Sequence, residues 1–188
     1  MAEYHLLTVW RIEAPLDAVY AAIEDSLRWP DWWSSVRKVE QLAAGNAKGI
    51  GSVRRYVWQG RLPYRVRFDV RATRIEHNVA IEGVATGDLD GSGHWRFSSR
   101  GKLTVVHYEW HVHSKRWWMN LVAPVARAIF VRNHAQIMVQ GGKALAKRLK
   151  APLVGQENTD LMARTVKARA GQVAAPASAP ARSGAERP

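Results

Sequence analysis

Asn133-His134, set inside a long run of helical spacing, is the pair in this chain best suited to acid–base work or to gripping a polar group. A histidine can exchange a proton near neutral pH, and it can also hold a carbonyl or hydroxyl oxygen. With Phe130 at the centre of a helical face, His134, Ile137, Gly141 and Leu145 fall within about 60° of it at 3.6 residues per turn. Arg132, Gln136, Lys143, Lys147 and Lys150 gather on the opposite side. His134 is therefore expected to look inward. Three roles are open to it: a general acid or base, an anchor for a ligand oxygen, or a core histidine with a hydrogen bond of its own. Asn133, at the margin of that face, could fix the ring.

Other constellations are weaker. His107, Glu109, His111 and His113 alternate along one strand face, with neighbours about 7 Å apart. His-x-His on a strand can chelate zinc. Val106, Tyr108, Trp110 and Val112 take the other face, however, so the histidines are expected on the outside and no metal is assigned. Arg54, Arg55, Arg61, Arg65, Arg67, Arg71 and Arg74 crowd two successive strands. A basic sheet face can lean on an anionic membrane, with Arg65, Arg67 and Arg71 as its contacts. Nucleic acid is the weaker partner, because it calls for aromatics interleaved with the cations. Tyr64, Tyr108 and Arg96 could orient an oxygenated substrate, but Asp69 and Glu109 alternate outward, which leaves no carboxylate pair inside. Gly-rich phosphate loops, a nucleophile elbow and HExxH are all missing from the sequence, so no cofactor is expected.

The elements that would position these residues follow from periodicity. Tyr4–Ile12 reads as a strand, and Ala14-Pro15 opens a helix with Val19, Tyr20 and Ile23 on one face. Arg28 to Trp33 gives a second short helical turn. Strand patterns follow at Val36–Leu42, Ile50–Trp58, Tyr64–Ile75, Asn78–Thr86, His94–Ser99 and Leu103–His113. Gly87-Asp88 and Asp90-Gly91 read as loop, and Arg100-Gly101 as a hairpin turn. A long amphipathic helix from Arg116 to Lys150 closes the pattern, with Trp117–Ala123 set apart by Pro124. Strands joined by hairpins, with helices at either end, make an α+β domain and exclude a parallel α/β sheet.

The composition sets outer bounds. Hydrophobic residues make up 47%, enough for a core, and nine tryptophans suit both packing and pocket walls. With no cysteine, disulfides and thiolate chemistry are excluded. Lys and Arg outnumber Asp and Glu by 28 to 16, a net charge of +12 that favours anionic partners. The apolar stretch Leu121–Val131 is about half the length a membrane span needs, and no signal-peptide pattern stands at the start. A cytoplasmic protein with no transmembrane segment is expected. Residues 1–152 read as one ligand-binding domain, and residues 153–188, rich in Ala, Gly, Pro and Arg, as a disordered tail in which Leu161, Met162 and Val166 could make a short helix.

Ile12-Glu13-Ala14-Pro15 leading to Val19, and Arg28-Trp29-Pro30-Asp31-Trp32-Trp33, resemble the opening of START-like (SRPBCC, helix-grip) proteins. Gly93-His94-Trp95, Tyr108-Glu109-Trp110, Trp118 to Pro124 and Asn133-His134 resemble the polyketide cyclase/dehydrase and lipid-transport branch. The likeness covers roughly residues 3–150. It implies a curved seven-stranded antiparallel sheet wrapped around the C-terminal helix, with an apolar cavity between them. Phe68, Trp95, Tyr108 and Trp110 would line that cavity from the sheet. Phe130, Asn133, His134, Ile137 and Met138 would face it from the helix, with Trp32 or Trp33 at the mouth. Members of the branch often carry an acidic residue after the Asn-His pair, where this chain has Ala135. The resemblance leaves open whether a reaction is catalysed, and the first reading is a binder or carrier of a hydrophobic molecule (lipid, isoprenoid or polyketide-like). The alternatives are a cyclase or dehydratase using His134 and a basic module for anionic surfaces.

Overall fold

The computed structural model describes residues 2–61, 63–115 and 123–165. Strand β1 (Ala2–Ile12) turns Tyr4, Leu6, Thr8, Trp10 and Ile12 into the interior at every second position, as a half-buried strand must. Pro15 then caps the entry to α1 (Leu16–Glu24), which buries Val19, Tyr20, Ala22 and Ile23. A 3-10 turn (Ser26–Arg28) runs directly into the short helix α2 (Trp29–Trp32). Six strands follow: β2 (Val36–Ala43), β3 (Val53–Trp58), β4 (Val66–Glu76), β5 (Ala80–Gly87), β6 (Leu89–Arg100) and β7 (Leu103–Ser114). Helix α3 (Ala123–Leu149) crosses their concave face, and β8 (Leu153–Asp160) returns along the sheet.

All neighbours in the sheet are antiparallel, in the order β2-β3-β4-β5-β6-β7-β1-β8. Alternation sorts the faces as the sequence suggests. Phe68 points in while Asp69 pairs outside with Arg55, Nε to Oδ1 at 2.7 Å. Val106, Trp110 and Val112 are buried with Tyr108 on the same face, and His107, Glu109 and His111 face outward. Asp90-Gly91 is not loop but the start of β6, because only Asp88 separates it from β5 and Gly91 pairs with both Ala85 and Val112.

The expected tail needs correcting. Residues 153–160 are an eighth strand paired to β1 from Leu6 to Ile12. A polar segment forms a strand here because its partners are polar too. Thr8 Oγ1 donates to Asn158 Oδ1 at 2.7 Å, and Gln156 Nε2 donates to the Met138 carbonyl at 2.8 Å. Nη2 of Arg127 on α3 donates to both carboxylate oxygens of Asp160, at 2.8 and 2.6 Å, which ties helix and strand together. Residues 161–165 continue as a helical turn whose first amide, at Met162, donates to Asp160 Oδ1. Val166 and the rest of the expected tail lie outside the described residues, as do residues 116–122 of the expected long helix. Among the described residues no helix is long and apolar enough to cross a membrane.

Helix α3 buries Phe130, Ile137, Met138 and Leu145, and leaves Lys143, Lys147 and Lys150 in solvent. Its closest approach to the neighbouring elements is at Gly141-Gly142. A Cβ at position 141 would overlap the indole of Trp33, and one at 142 would lie 2.9 Å from Trp10 Nε1. Both rings are fully enclosed, at 1% and 0% exposure, so neither can step aside. The two glycines cost helix propensity, about 1 kcal/mol each, and in return admit two indoles against the helix backbone.

Gly141→Ala is expected to destabilise the fold by about 1–2 kcal/mol, because overpacking against Trp33 outweighs the gain in propensity. Urea unfolding should show a lower midpoint at unchanged slope. A stabilised variant would contradict the packing account.

Candidate functional site

Trp33 is the hinge pin of the interior. Its backbone N–H donates to the Trp29 carbonyl at 2.7 Å, and its indole N–H donates to the Ile137 carbonyl on α3 at 3.1 Å. Gln140 of α3 also bonds Ser34 and Ser35. This seating fixes Trp29, whose indole N–H is held by the Ile23 carbonyl at 3.0 Å. Trp29 then packs with Tyr56, Trp58 and Trp95, ring centroids 5.8, 6.1 and 6.0 Å away.

Beneath that cluster is a cavity of about 230 Å³. Its walls are largely aromatic and aliphatic, with Trp29 and Ile23 on the helical side and Tyr56, Phe68, Trp95 and Trp110 among those on the sheet side, and Glu24, Ser26, Arg54 and Glu82 among its polar members. A second, smaller pocket of about 50 Å³ lies against α3, lined by Phe130, Asn133, His134, Ile137 and Met138. Trp58, Phe68, Tyr108 and Trp110 border both spaces.

The expected site is therefore divided. Phe68, Trp95, Tyr108 and Trp110 line the larger cavity, while the five helix residues line only the smaller pocket. Trp32 and Trp33 line neither. Trp33 is core, and Trp32 stacks on it at 5.6 Å. The α1–α2 segment, not α3, walls the larger cavity opposite the sheet, because Trp29 and Trp33 are wedged between the sheet and the helix.

Sequence reasoning also placed Arg54 with the outer arginines, but it points inward and lines the cavity. Alternation carries the signal: Arg54, Tyr56 and Trp58 share a phase, and Tyr56 is buried. Arg54 Nη1 donates to Ser26 Oγ at 2.8 Å and to the Glu24 carbonyl at 2.9 Å. Ser26 Oγ in turn meets the Tyr56 hydroxyl at 2.8 Å. The Arg54 Nε–H is buried without a partner. The cavity thus has a cationic corner, built of Arg54, Ser26 and Tyr56; Glu24 and Glu82 also line the cavity, but among the described residues no carboxylate forms an ion pair with the guanidinium. Burial raises the Tyr56 and Tyr108 phenols, so both stay protonated near neutral pH.

His134 sits in the smaller pocket with no hydrogen-bond partner among the described residues. Burial lowers its pKa from 6.5 to about 4, so the imidazole is neutral at physiological pH. Asn133 Oδ1 is buried and unpartnered.

The outer face holds the remaining expected residues. Glu109 meets His5 at 2.5 Å and His111 meets Glu3 at 2.6 Å, so the histidine-rich face forms cross-strand pairs. The His111 contact lowers the Glu3 pKa. Among the described residues no group of three or more His, Asp or Glu is placed to hold a metal ion. Arg96 pairs outside with Glu82 at 3.4 Å and cannot orient a substrate in the cavity. Arg65 and Arg67 join Arg37, Lys38, Val57 and Asp88 around an open groove of about 640 Å³, and Arg71 reaches the Gly51 carbonyl.

A long helix gripped by a curved antiparallel sheet, with an aromatic cavity inside, defines a START-like helix-grip protein. The chain belongs to the family described as polyketide cyclase/dehydrase and lipid transport, whose model matches residues 7–151. Among solved structures it is similar to the Zhui aromatase/cyclase from Streptomyces sp. R1128, at 17% identity over 79% of this chain and 94% of that one, with a TM-score of 0.63. A START superfamily protein from Mycobacterium smegmatis matches at 18% identity over 78% and 97%, with a TM-score of 0.61. These likenesses show the fold. No curated protein matches the chain.

The unfolded chain takes up a proton on His134 that the folded chain refuses between pH 6.5 and about 4. Stability should therefore fall as pH falls through that window, by roughly 2–3 kcal/mol for this one group at about pH 4.5. His134→Gln should lose that part of the pH dependence, read from urea unfolding at neutral and acidic pH. Parallel curves for the two proteins would contradict a desolvated imidazole.

Proposed function

We propose that this protein binds an apolar small molecule in the larger cavity, holding an acidic or carbonyl oxygen of that molecule at Arg54. The observation that carries this reading is a guanidinium at the corner of an aromatic chamber that pairs with no carboxylate among the described residues, its Nε–H buried without a partner. Ring stacking and burial, at roughly 25 cal/mol per Å² removed from water, would supply affinity. The Arg54 corner would supply direction, since a charge-assisted hydrogen bond contributes about 1.5–3 kcal/mol. At about 230 Å³ the chamber is smaller than the usual range of roughly 300–1,000 Å³, which favours a compact ring system or a chain of moderate length.

The cyclase or dehydratase reading has less behind it. A general base needs a partner that tunes it and reach to the substrate. His134 lies beyond the aromatic wall from the larger cavity, with no carboxylate at hydrogen-bond distance among the described residues. Carriage, with release of an unchanged ligand, needs only what the chamber offers.

Binding of 1-naphthoate should quench tryptophan fluorescence, and Arg54→Leu should weaken it by about 10- to 100-fold. Binding of 1-naphthylmethanol should change by less than about threefold, because it brings no charge. Equal losses for both probes, or none for either, would remove Arg54 from the site.

One observation supports a second reading of the outer face. Arg37, Lys38, Arg65 and Arg67 ring a single groove with one carboxylate, Asp88, in its wall, an excess of cations that suits the headgroups of an anionic membrane. Tyr56 and Trp58 both line the cavity, which leaves that groove without them as a stacking platform for bases. Co-sedimentation with phosphatidylserine vesicles should drop steeply with salt and with Arg67→Glu. Salt-insensitive partitioning would exclude it.

A further inference from the structure

We infer that the two pockets are the two ends of one elongated site, whose ligand carries an acidic oxygen at one end and a hydroxyl or carbonyl at the other. This rests on the reading of the larger cavity given above and extends it to the ligand's far end.

The argument begins with what separates the pockets. Trp58, Phe68, Tyr108 and Trp110 line both, so the partition is a set of side-chain rings and no backbone element. Phe68 is its movable member. It stacks on Tyr56 at 5.7 Å and leans on Trp110 at 5.5 Å, and no hydrogen bond fixes it. Trp110 by contrast is pressed over Gly93, where a Cβ would come within 2.8 Å of its ring. Rotation of Phe68 toward Tyr56 would join the two spaces.

The polar groups around the smaller pocket are short of partners. Asn133 Oδ1 and Trp58 Nε1 are buried with nothing to bond, and His134 and the Tyr108 hydroxyl find no partner among the described residues. Each unpaired buried group costs about 1–3 kcal/mol, and native interiors hold few of them. Two such atoms at the wall of one pocket of about 50 Å³, with the partly buried His134 and Tyr108 beside them, mark a place built for a polar guest. Its chemistry differs from that of the other end. An uncharged imidazole offers one donor and one acceptor, and so do the amide and phenol beside it, which suits a hydroxyl or carbonyl. The guanidinium at Arg54 suits an anion. The two ends therefore ask for different oxygens, with an apolar span between them.

The test uses the full-length protein and straight-chain carboxylates from octanoate to hexadecanoate, each beside its ω-hydroxylated counterpart. In water an ω-hydroxyl normally weakens binding to an apolar site. Here, at the chain length that reaches the smaller pocket, it should tighten binding by about three- to tenfold. His134→Ala should erase that preference, so that the acid and its ω-hydroxylated counterpart no longer differ in the direction seen for wild type, and Phe68→Leu should lengthen the preferred chain. If the plain acids bind but every ω-hydroxyl weakens binding alike in wild type and variant, the smaller pocket holds only water and this inference fails while the Arg54 reading stands. If no carboxylate of any length binds, both fail. Should His134→Ala not fold, the wild-type preference alone decides.

Discussion

The seating of Trp33 on Gly141 is the contact from which the rest of the interior follows. An indole can lie flat against a helix only where the helix has no side chain, and position 141 supplies that gap. Along that same edge the ring is held by a hydrogen bond from Nε1 to the Ile137 carbonyl. Because Trp33 and Trp29 are one turn apart, fixing the first aims the second over the sheet. A roof held this way keeps the helical segment from collapsing onto β3 through β7, and the space that remains is the cavity. The energetics are local: one close approach, two buried rings and a handful of hydrogen bonds decide whether the domain is hollow.

The same geometry explains why the interior has two compartments. Large rings project from β3, β4 and β7 into the middle of the grip, and they meet each other before they meet the helix. Aromatic pairs at such spacings prefer tilted and offset contacts, which pack into a partition but leave voids on either side. One void falls against α1 and α2 and contains the Arg54 guanidinium. The other falls against α3 and contains neutral polar groups. Strand β8 strengthens the arrangement from outside, since Arg127 and Asp160 clamp α3 to the edge of the sheet.

Much of this was legible in the chain. The alternation of Val66, Phe68 and Val70, and of Val106, Tyr108, Trp110 and Val112, follows from the two-residue period of a pleated strand. The spacing of Phe130, Ile137 and Leu145 likewise marks a helix with one buried stripe. Three things escaped. Strand β8 has almost no apolar alternation, and its pairing depends on polar partners distant in sequence, such as Thr8 and Arg127. Arg54 was obscured by its company, since seven arginines in two strands look like one outer face until Tyr56 is seen to be in phase with it. The position of the cavity was hidden because it depends on Trp29 and Trp33, whose seating against α3 joins residues more than a hundred positions apart.

The central claim is that the aromatic chamber is a ligand site and not a packing defect. Native mass spectrometry of freshly purified protein tests it most directly, because it weighs the chain with whatever it carries. The account predicts a bound species of a few hundred daltons at most, released on denaturation, apolar in its chromatography and bearing an acidic or carbonyl oxygen. A chain that emerges bare, and stays bare after incubation with a panel of apolar acids, would contradict it.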